Sequence, residues 1–343
     1  MPSSLVTGGA GFIGTHVVRA LLADGHSVVV LDDLSGGFAT NVPPGVRLVE
    51  SSITDADAVA RLFAEHRFDH VYHLAAYAAE GLSHFIRSYN YTNNVVGSMH
   101  VINECINHEV ECLVFTSSIA VYGAGQVPMR EDMTPIPEDP YGIAKYAVEQ
   151  DLRAAHEMFG LRSVVFRPHN VYGEFQNIGD RYRNVIGIFM NRLMQGQAMP
   201  VFGDGSQTRA FSYVGDIAPV IARSVHVPAA YGEVFNVGAD REYSVLELAR
   251  MVAEALGVEP MIDHLDARKE VLHAFSDHSK VQRVFGTHPE TSLREGLGRM
   301  AEWARETGPR ASQPFGSIEV TRNLPPAWND RMAMEPAQAP TTR

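Results

Sequence analysis

Short apolar runs alternating with amphipathic stretches organise the first half of the chain. Leu5-Val6 opens it, then a glycine-rich turn, then helical spacing from Thr15 to about Asp24. Ser27-Val28-Val29-Val30-Leu31 is a second apolar run, and 46–50, 70–76, 112–115 and 162–167 read as further strands. Helical patterns fall between them: one capped by Thr54 or Asp55 and running to about His66, one from Thr92 to Asn107, and one from Asp139 or Pro140 to about Phe159. In the Thr92–Asn107 pattern, Val95, Val96, Met99, Val101, Ile102 and Ile106 supply the apolar stripe. Strands alternating with helices at this spacing predict an α/β fold with a doubly wound parallel sheet. Beyond Asn170 the pattern loosens. Val214–Val225 and Ser244–Leu256 read as helices and Val234–Val237 as a strand, with glycine turns such as Phe202-Gly203-Asp204-Gly205 between elements. The expected organisation is a nucleotide-binding domain over 1–172, its sheet completed by elements from about 210–240, and a smaller C-terminal lobe over 173–309 for substrate. The tail, 310–343, is rich in proline, alanine and polar residues and is expected to be loosely attached.

Charge and composition narrow the classes. A chain of 343 residues with a formal net charge of −12 offers little to nucleic acid or an anionic membrane surface, both of which call for basic surface. No apolar run is long enough to span a bilayer and no basic-then-apolar leader opens the chain, so a cytoplasmic protein is expected. Cys105 and Cys112, the two cysteines, are too few for a disulfide framework and read as reduced thiols. The histidines show no metal-ligand spacing: His73 and His169 are read as packing or hydrogen-bonding residues, and no metal is expected.

Candidate chemistry gathers where the strands end. Gly8, Gly11 and Gly14 stand between the first strand and the first helix, spaced for a tight turn, a close approach to a pyrophosphate and close helix–strand packing. The helix N-terminus then offers unpaired N–H groups to phosphate. Asp32 and Asp33 end the second strand, at the distance where an acid grips a ribose 2′-hydroxyl, which favours NAD over NADP. Ala75-Ala76, Thr116–Ser118 and Arg167–Asn170 lie at the ends of later strands and rim the same crevice. Tyr141 and Lys145 share one face of a helix, one turn apart. A tyrosine acting near neutrality needs its pKa lowered by roughly three units, about 4 kcal/mol. Lys145 and a positive nicotinamide ring would supply that together.

These motifs resemble the extended short-chain dehydrogenase/reductase family, in its NAD-dependent sugar-nucleotide epimerase/dehydratase branch, over about residues 4–305. The matching segments are Thr7–Gly14, Asp32–Ser35, His73–Ala76, Ser117-Ser118 before Val121-Tyr122-Gly123, Tyr141–Lys145, Arg167–Gly173 and Gly203–Arg209. The resemblance implies a Rossmann sheet, a homodimer built on helices 92–107 and 140–159, and Ser118, Tyr141 and Lys145 as catalytic residues. It implies NAD held by Gly8, Gly11, Phe12, Ile13, Asp32, Asp33, Ser35, Gly36, Ser52, Ile53, Leu74, Ala75, Ala76, Asn94, Thr116, Tyr141, Lys145 and Pro168. It also implies a nucleotide-diphosphate sugar substrate met by Ser118, Asn170, Val201, Phe202 and Arg209, with Arg268 one position along from the family's further diphosphate arginine.

Ile119-Ala120 narrows the reaction. Dehydratases of the family carry an Asp-Glu pair there, decarboxylating members an acid, and the GDP-mannose 3,5-epimerase subgroup a cysteine where Ala120 stands. Neither residue here moves a proton. What remains is reversible oxidation of a ring alcohol, as in the 4-epimerases that act through a transient 4-keto sugar. Uridine is the expected nucleotide, with a GDP-sugar epimerase or a nucleotide-sugar reductase as alternatives. A non-catalytic sensor of NAD or nucleotide sugar fits less well, having no need of Ser118, Tyr141 and Lys145 together. Arg181 and Arg183, in a loop read as 173–188, offer a pair of cations to a carboxylate and so to a hexuronic acid such as UDP-glucuronate; a solvated loop or a dimer contact is the plainer alternative. Ala274, small where the narrow-pocket enzymes have a tyrosine, leaves room for a rotating sugar.

Overall fold

The structure is a computed structural model that describes residues 1–267, 272–287, 290–312 and 315–328. Its first half is β1 (Ser3–Thr7), α1 (Phe12–Ala23), β2 (Ser27–Asp32), β3 (Arg47–Glu50), α2 (Ala56–Glu65), β4 (His70–His73), α3 (Glu80–Ser83), α4 (Arg87–Tyr91), α5 (Gly97–Asn107), β5 (Cys112–Thr116), α6 (Pro140–Phe159) and β6 (Ser163–Pro168). The second half holds β7 (Val171–Tyr172), α7 (Val185–Met194), β8 (Met199–Phe202), β9 (Thr208–Ala210), β10 (Ser212–Tyr213), α8 (Val214–Arg223), β11 (Val234–Val237), β12 (Glu242–Ser244), α9 (Val245–Leu256), β13 (Ile262–Leu265), β14 (His273–Ala274), α10 (Ser279–Phe285) and α11 (Leu293–Thr307).

The central sheet runs β11-β6-β5-β4-β1-β2-β3, with every pairing parallel. Successive strand residues point to opposite faces, and both faces are covered. Val6, Val30, Val114 and Phe166 pack with Val17 and Leu21 of α1 and Ile217 of α8. Leu5, Leu31, Leu113 and Val165 pack with Leu62 of α2, Val101 of α5 and Val148 of α6. The order reverses between β1 and β4, so a crevice opens beyond their carboxyl ends.

Several boundaries differ from expectation, for local reasons. The fourth strand stops at His73, and 74–79 is irregular, with the Tyr77 backbone hydrogen-bonded to Asn94. The helix expected from Thr92 begins as a π-helical segment, Thr92–Val96, continuous with α4. The loop after β7 ends at Asn184, which takes φ 62° where α7 starts, so 185–188 is helical. Among the described residues, the looser second half holds three small sheets, β10-β7, β12-β9-β14 and β13-β8. Their strands of two to four residues are too short to show a period.

The tail is corrected more substantially. Far from loose, 310–312 and 315–328 lie against the body: Phe315, Ile318 and Trp328 pack with Tyr77, Leu82, Ile86 and Tyr182. Their aromatic anchors are too irregularly spaced to stand out among proline and polar residues.

Candidate active site

The glycine turn is held by its neighbours before any ligand arrives. The Gly8 amide donates to the Leu31 carbonyl (2.8 Å). A Cβ on Gly14 would stand 2.0 Å from the Gly8 carbonyl oxygen, so α1 packs directly on the turn. Asp32 is buried and binds the turn from beneath, accepting from the Ala10 amide (2.9 Å) and the Leu34 amide (2.8 Å). Burial raises its pKa while those two donors oppose the shift. A carboxylate has about four acceptor positions, so capacity remains for a ribose hydroxyl. Asp33 accepts from the Ser35 amide in an exposed turn.

Two residues the sequence reading missed complete this wall. The Phe38 amide (3.1 Å) and the Asn41 amide nitrogen (3.0 Å) both donate to the Ala10 carbonyl, folding the loop after β2 over the glycine turn. Asparagine nine residues after Asp32 was the available signal.

This wall fits a dinucleotide on one further point. The N-termini of α2, α6, α9 and α11 are capped by the side chains of Asp55, Asp139, Ser244 and Ser292. That of α1, like those of α7 and α10, has no side-chain cap and no acid in its first turn, and it opens on the glycine turn. Its amide groups, from Phe12 and Ile13 onward, therefore suit an anion.

Across the crevice, α6 places Tyr141 and Lys145. Pro140 starts the helix with its φ already helical, and Asp139 accepts from the Gly142 amide (2.9 Å). Lys145 is buried, donates from Nζ to the Thr116 carbonyl (2.7 Å) and lies 4.7 Å from the Phe115 ring centroid. Burial pulls its pKa down to about 7, opposed by Glu149. Tyr141 is buried and its hydroxyl is hydrogen-bonded to Ser118. Burial raises the Tyr141 pKa above its ordinary value; the Ser118 bond and the positive Arg183 act the other way. Ile119 and Ala120 follow Ser118 in a short 3₁₀ turn, where the Ala120 amide donates to Ser118 Oγ (3.1 Å). The acid-or-cysteine position thus lies beside the candidate proton acceptor and holds a methyl group.

A buried polar chain ties the two walls together. His73 Nδ1 meets Thr7 Oγ1 (2.7 Å) and its Nε2 meets Ser98 Oγ (2.8 Å), which donates to the Asn94 carbonyl (2.8 Å). Asn94 donates to Asn90 (2.8 Å), and Asn90 donates to the carbonyl of Pro140 (2.9 Å), beside Tyr141. Asn94 also accepts from the Tyr77 amide (2.8 Å) and donates to the Tyr77 carbonyl (3.1 Å). Its amide, expected to meet NAD, is here engaged in holding the loop after β4.

The remaining residues divide between the walls. Leu74, Ala75 and Ala76 follow β4, and the Ala75 backbone comes so close to Gly8 that a Cβ on Gly8 would be 2.7 Å from the Ala75 nitrogen. Ser52 and Ile53 precede α2, with Ile53 pressed on Gly97. Pro168 ends β6. Asn170, with φ 41°, donates to the Ala210 carbonyl (3.1 Å), and Arg209 beside it on β9 donates to the Thr208 (2.8 Å) and Leu272 (3.1 Å) carbonyls. Val201 is buried on β8 and Phe202 is half-buried at its end. Ala274 pairs with Arg209. Arg268 lies outside the described residues.

Arg181 and Arg183 take different surroundings. Arg183 pairs with Asp180 (Nε to Oδ2, 2.7 Å), lies 4.7 Å from the Tyr77 ring centroid, and would be 3.3 Å from a Cβ on Gly36. It therefore bridges the cofactor wall and the Tyr141 side. Arg181 lies 5.3 Å from the Tyr182 ring centroid.

The buried histidines make stability depend on pH. Burial holds His73 and His169 at about 3, against about 6.5 in an unfolded chain. Below pH 6.5 the unfolded chain binds protons that the folded one excludes, so their contribution is complete above 6.5 and is lost as pH falls toward 3. Each group removes up to about 1.4 kcal/mol per pH unit across that window. Urea midpoints are expected to fall between pH 7 and pH 5; a flat or rising midpoint would contradict this.

Comparison with known proteins adds independent observations. The profile described as the NAD dependent epimerase/dehydratase family matches residues 4–238. A UDP-glucose 4-epimerase from Mycolicibacterium smegmatis is 36% identical over 311 residues, covering 88% of this chain and 98% of its own. A UDP-glucose 4-epimerase structure from Thermotoga maritima, with UDP-glucose, superposes with a TM-score of 0.83 at 34% identity, covering 89% of this chain and 99% of that one. A UDP-glucuronic acid 4-epimerase structure from Bacillus cereus, with UDP-glucuronic acid and NAD, gives a TM-score of 0.81 at 26% identity over 89% of this chain and 99% of that one.

Proposed function

Because the chain belongs to the NAD-dependent epimerase/dehydratase family, we propose that it inverts C4 of a UDP-hexose, with NAD retained through the cycle. The observation that carries the reading is Tyr141 hydrogen-bonded to Ser118 inside a buried site whose neighbouring positions are Ile119 and Ala120. One acid–base pair is present there, and the second proton-transfer group that elimination or C3 and C5 inversion requires is absent from that position. NAD, when bound, accepts and returns the hydride.

The chain's own residues do the rest. Tyr141 Oη takes the proton of the sugar 4-hydroxyl, and Ser118 Oγ holds that oxygen by a hydrogen bond. Lys145 Nζ, fixed on the Thr116 carbonyl, lies 5.9 Å from the Tyr141 ring centroid and in its protonated form favours the phenolate. The 4-keto sugar turns over in the pocket to present its other face, and Tyr141 returns the proton to the C4 oxygen. Asn170 and Arg209 are proposed to hold the diphosphate, Arg209 through a guanidinium fork, and Phe202 to meet the base. The proposed organisation remains a cofactor domain over 1–172 and a substrate lobe over 173–309, in a homodimer.

A neutral hexose is preferred over a uronic acid because the Arg183 guanidinium is already balanced by Asp180 (2.5 Å). A carboxylate ligand would compete with that ion pair. UDP-glucuronate is kept as a second reading because two arginines share the loop. The test is to denature the purified protein, identify the nucleotide released, and assay the native protein on UDP-glucose, UDP-N-acetylglucosamine, UDP-glucuronate and the matching GDP-sugars. Released NAD and fastest turnover of UDP-glucose are expected. Fastest turnover of UDP-glucuronate would favour the second reading, and turnover confined to GDP-sugars would overturn both.

A further inference from the structure

The segment after α11 is attached to α7, to Phe38 in the loop after β2, to the 177–183 loop and to α4. It begins at α7, where the Arg310 amide donates to Asn191 (2.8 Å) and its carbonyl accepts from Asn191 (2.9 Å) and Gln195 (3.1 Å). From that anchor the Arg310 guanidinium lies 3.8 Å from the centroid of Phe38, the residue that folds the loop after β2 over the glycine turn. Ser312 donates to the Gly179 carbonyl (2.7 Å), and the Phe315 amide donates to the Tyr182 hydroxyl (3.1 Å). Both contacts fix the loop that presents Arg183.

The Phe315 ring then packs against Tyr77 and Tyr89, with centroids 5.1 and 5.0 Å away. Tyr77 is the ring under Arg183, and Tyr89 is hydrogen-bonded to Ser35 of the cofactor wall. Beyond it, Glu319 accepts from the Ser88 (2.7 Å) and Tyr89 (2.8 Å) amides, and Trp328 closes on Phe85 and Tyr182.

We propose that residues 310–312 and 315–328 form a strap that locks the Gly36–Phe38 loop and the 177–183 loop together and so controls the dissociation of NAD. The two loops meet where Arg183 approaches Gly36. Widening that gap to release a dinucleotide requires the 177–183 loop to move, and the strap holds it at Gly179 and Tyr182. The same strap presses on Phe38 from the other side. No strap residue reaches Tyr141, Ser118 or Lys145 among the described contacts, so the strap acts on retention and touches the chemical step only through the loop that carries Arg183. The inference rests on NAD binding in this crevice and is independent of the sugar.

The test compares the full chain with a version ending at Pro309 and with the full-length double variant Phe315→Ala/Glu319→Gln. Each is loaded with NAD, and dissociation is followed by gel filtration and by displacement with excess labelled NAD. Release roughly tenfold or more faster is expected in both variants, an effect read in the off-rate and larger than any change in turnover at saturating NAD. Should the shortened chain fail to fold, the double variant decides, because it keeps the strap's other anchors. Unchanged NAD release in a folded variant overturns the strap's role. Since release is measured without sugar, a failure to turn over any nucleotide sugar bears on the proposed reaction alone.

Discussion

Replacing Tyr141 with phenylalanine is expected to lower turnover by about a thousandfold while NAD and UDP-sugar remain bound. The ring fills the same buried space, so the core around α6 loses only the hydroxyl that meets Ser118. General acid–base groups of this kind contribute about 10²–10⁴ in rate, and the proposed mechanism provides no second group at 119 or 120 to take over. Binding should survive because the dinucleotide wall is built from Gly8, Ala10, Asp32 and Phe38, none of which touches the hydroxyl. Steady-state kinetics with parallel titration of NAD and UDP separates the two effects. A variant with near-normal turnover would remove Tyr141 from the mechanism.

The second large effect is expected at Gly14. An alanine Cβ there would meet the Gly8 carbonyl oxygen at 2.0 Å and the Gly9 Cα at 2.8 Å. These are backbone atoms of the turn itself, so no side chain can swing aside. Either α1 is pushed off β1 or the turn is displaced by about an ångström. Such overpacking costs about 1–3 kcal/mol of stability. Displacement on that scale takes the amide groups at the start of α1 out of place for a diphosphate. Gly14→Ala should therefore lose NAD before it loses its fold. Gly298 on α11 is the control, since a Cβ there meets nothing within 4 Å. Gly298→Ala is expected to gain about 0.5–1 kcal/mol from helix propensity alone and to bind NAD normally. Equal NAD affinity in Gly14→Ala and wild type would show that the turn does not seat the cofactor.

The contrast between these two glycines also explains what the sequence made legible. Gly8–Gly14, Asp32 and the Tyr141–Lys145 pair are local patterns: a spacing, a strand end, one turn of a capped helix. The parallel sheet was readable for the same reason, since each βα unit carries its own apolar run and cap. Arg183 belongs to another class. Its approach to Gly36 and its charge facing Tyr141 depend on how the 177–184 loop packs across the crevice, and no nearby spacing encodes that. Asn94 shows the converse. Its position matched a cofactor residue, yet its amide is engaged with Tyr77 and Asn90 in a π-helical segment that periodicity cannot distinguish from an α-helix. The strap escaped for a compositional reason: Phe315, Ile318 and Trp328 are spread through proline and polar residues, and only the aromatic floor of Tyr77, Phe85, Tyr89 and Tyr182 gives them a place to dock.

The most direct test of the central claim is to run the reaction in D₂O with the best substrate of the UDP-sugar panel and examine the product by NMR and mass spectrometry. A 4-epimerase that keeps its hydride on bound NAD, with Tyr141 exchanging only hydroxyl protons, gives a product inverted at C4 with no deuterium on any ring carbon and no net NADH. Deuterium at C3 or C5, loss of water from the sugar, or stoichiometric NADH would contradict the account.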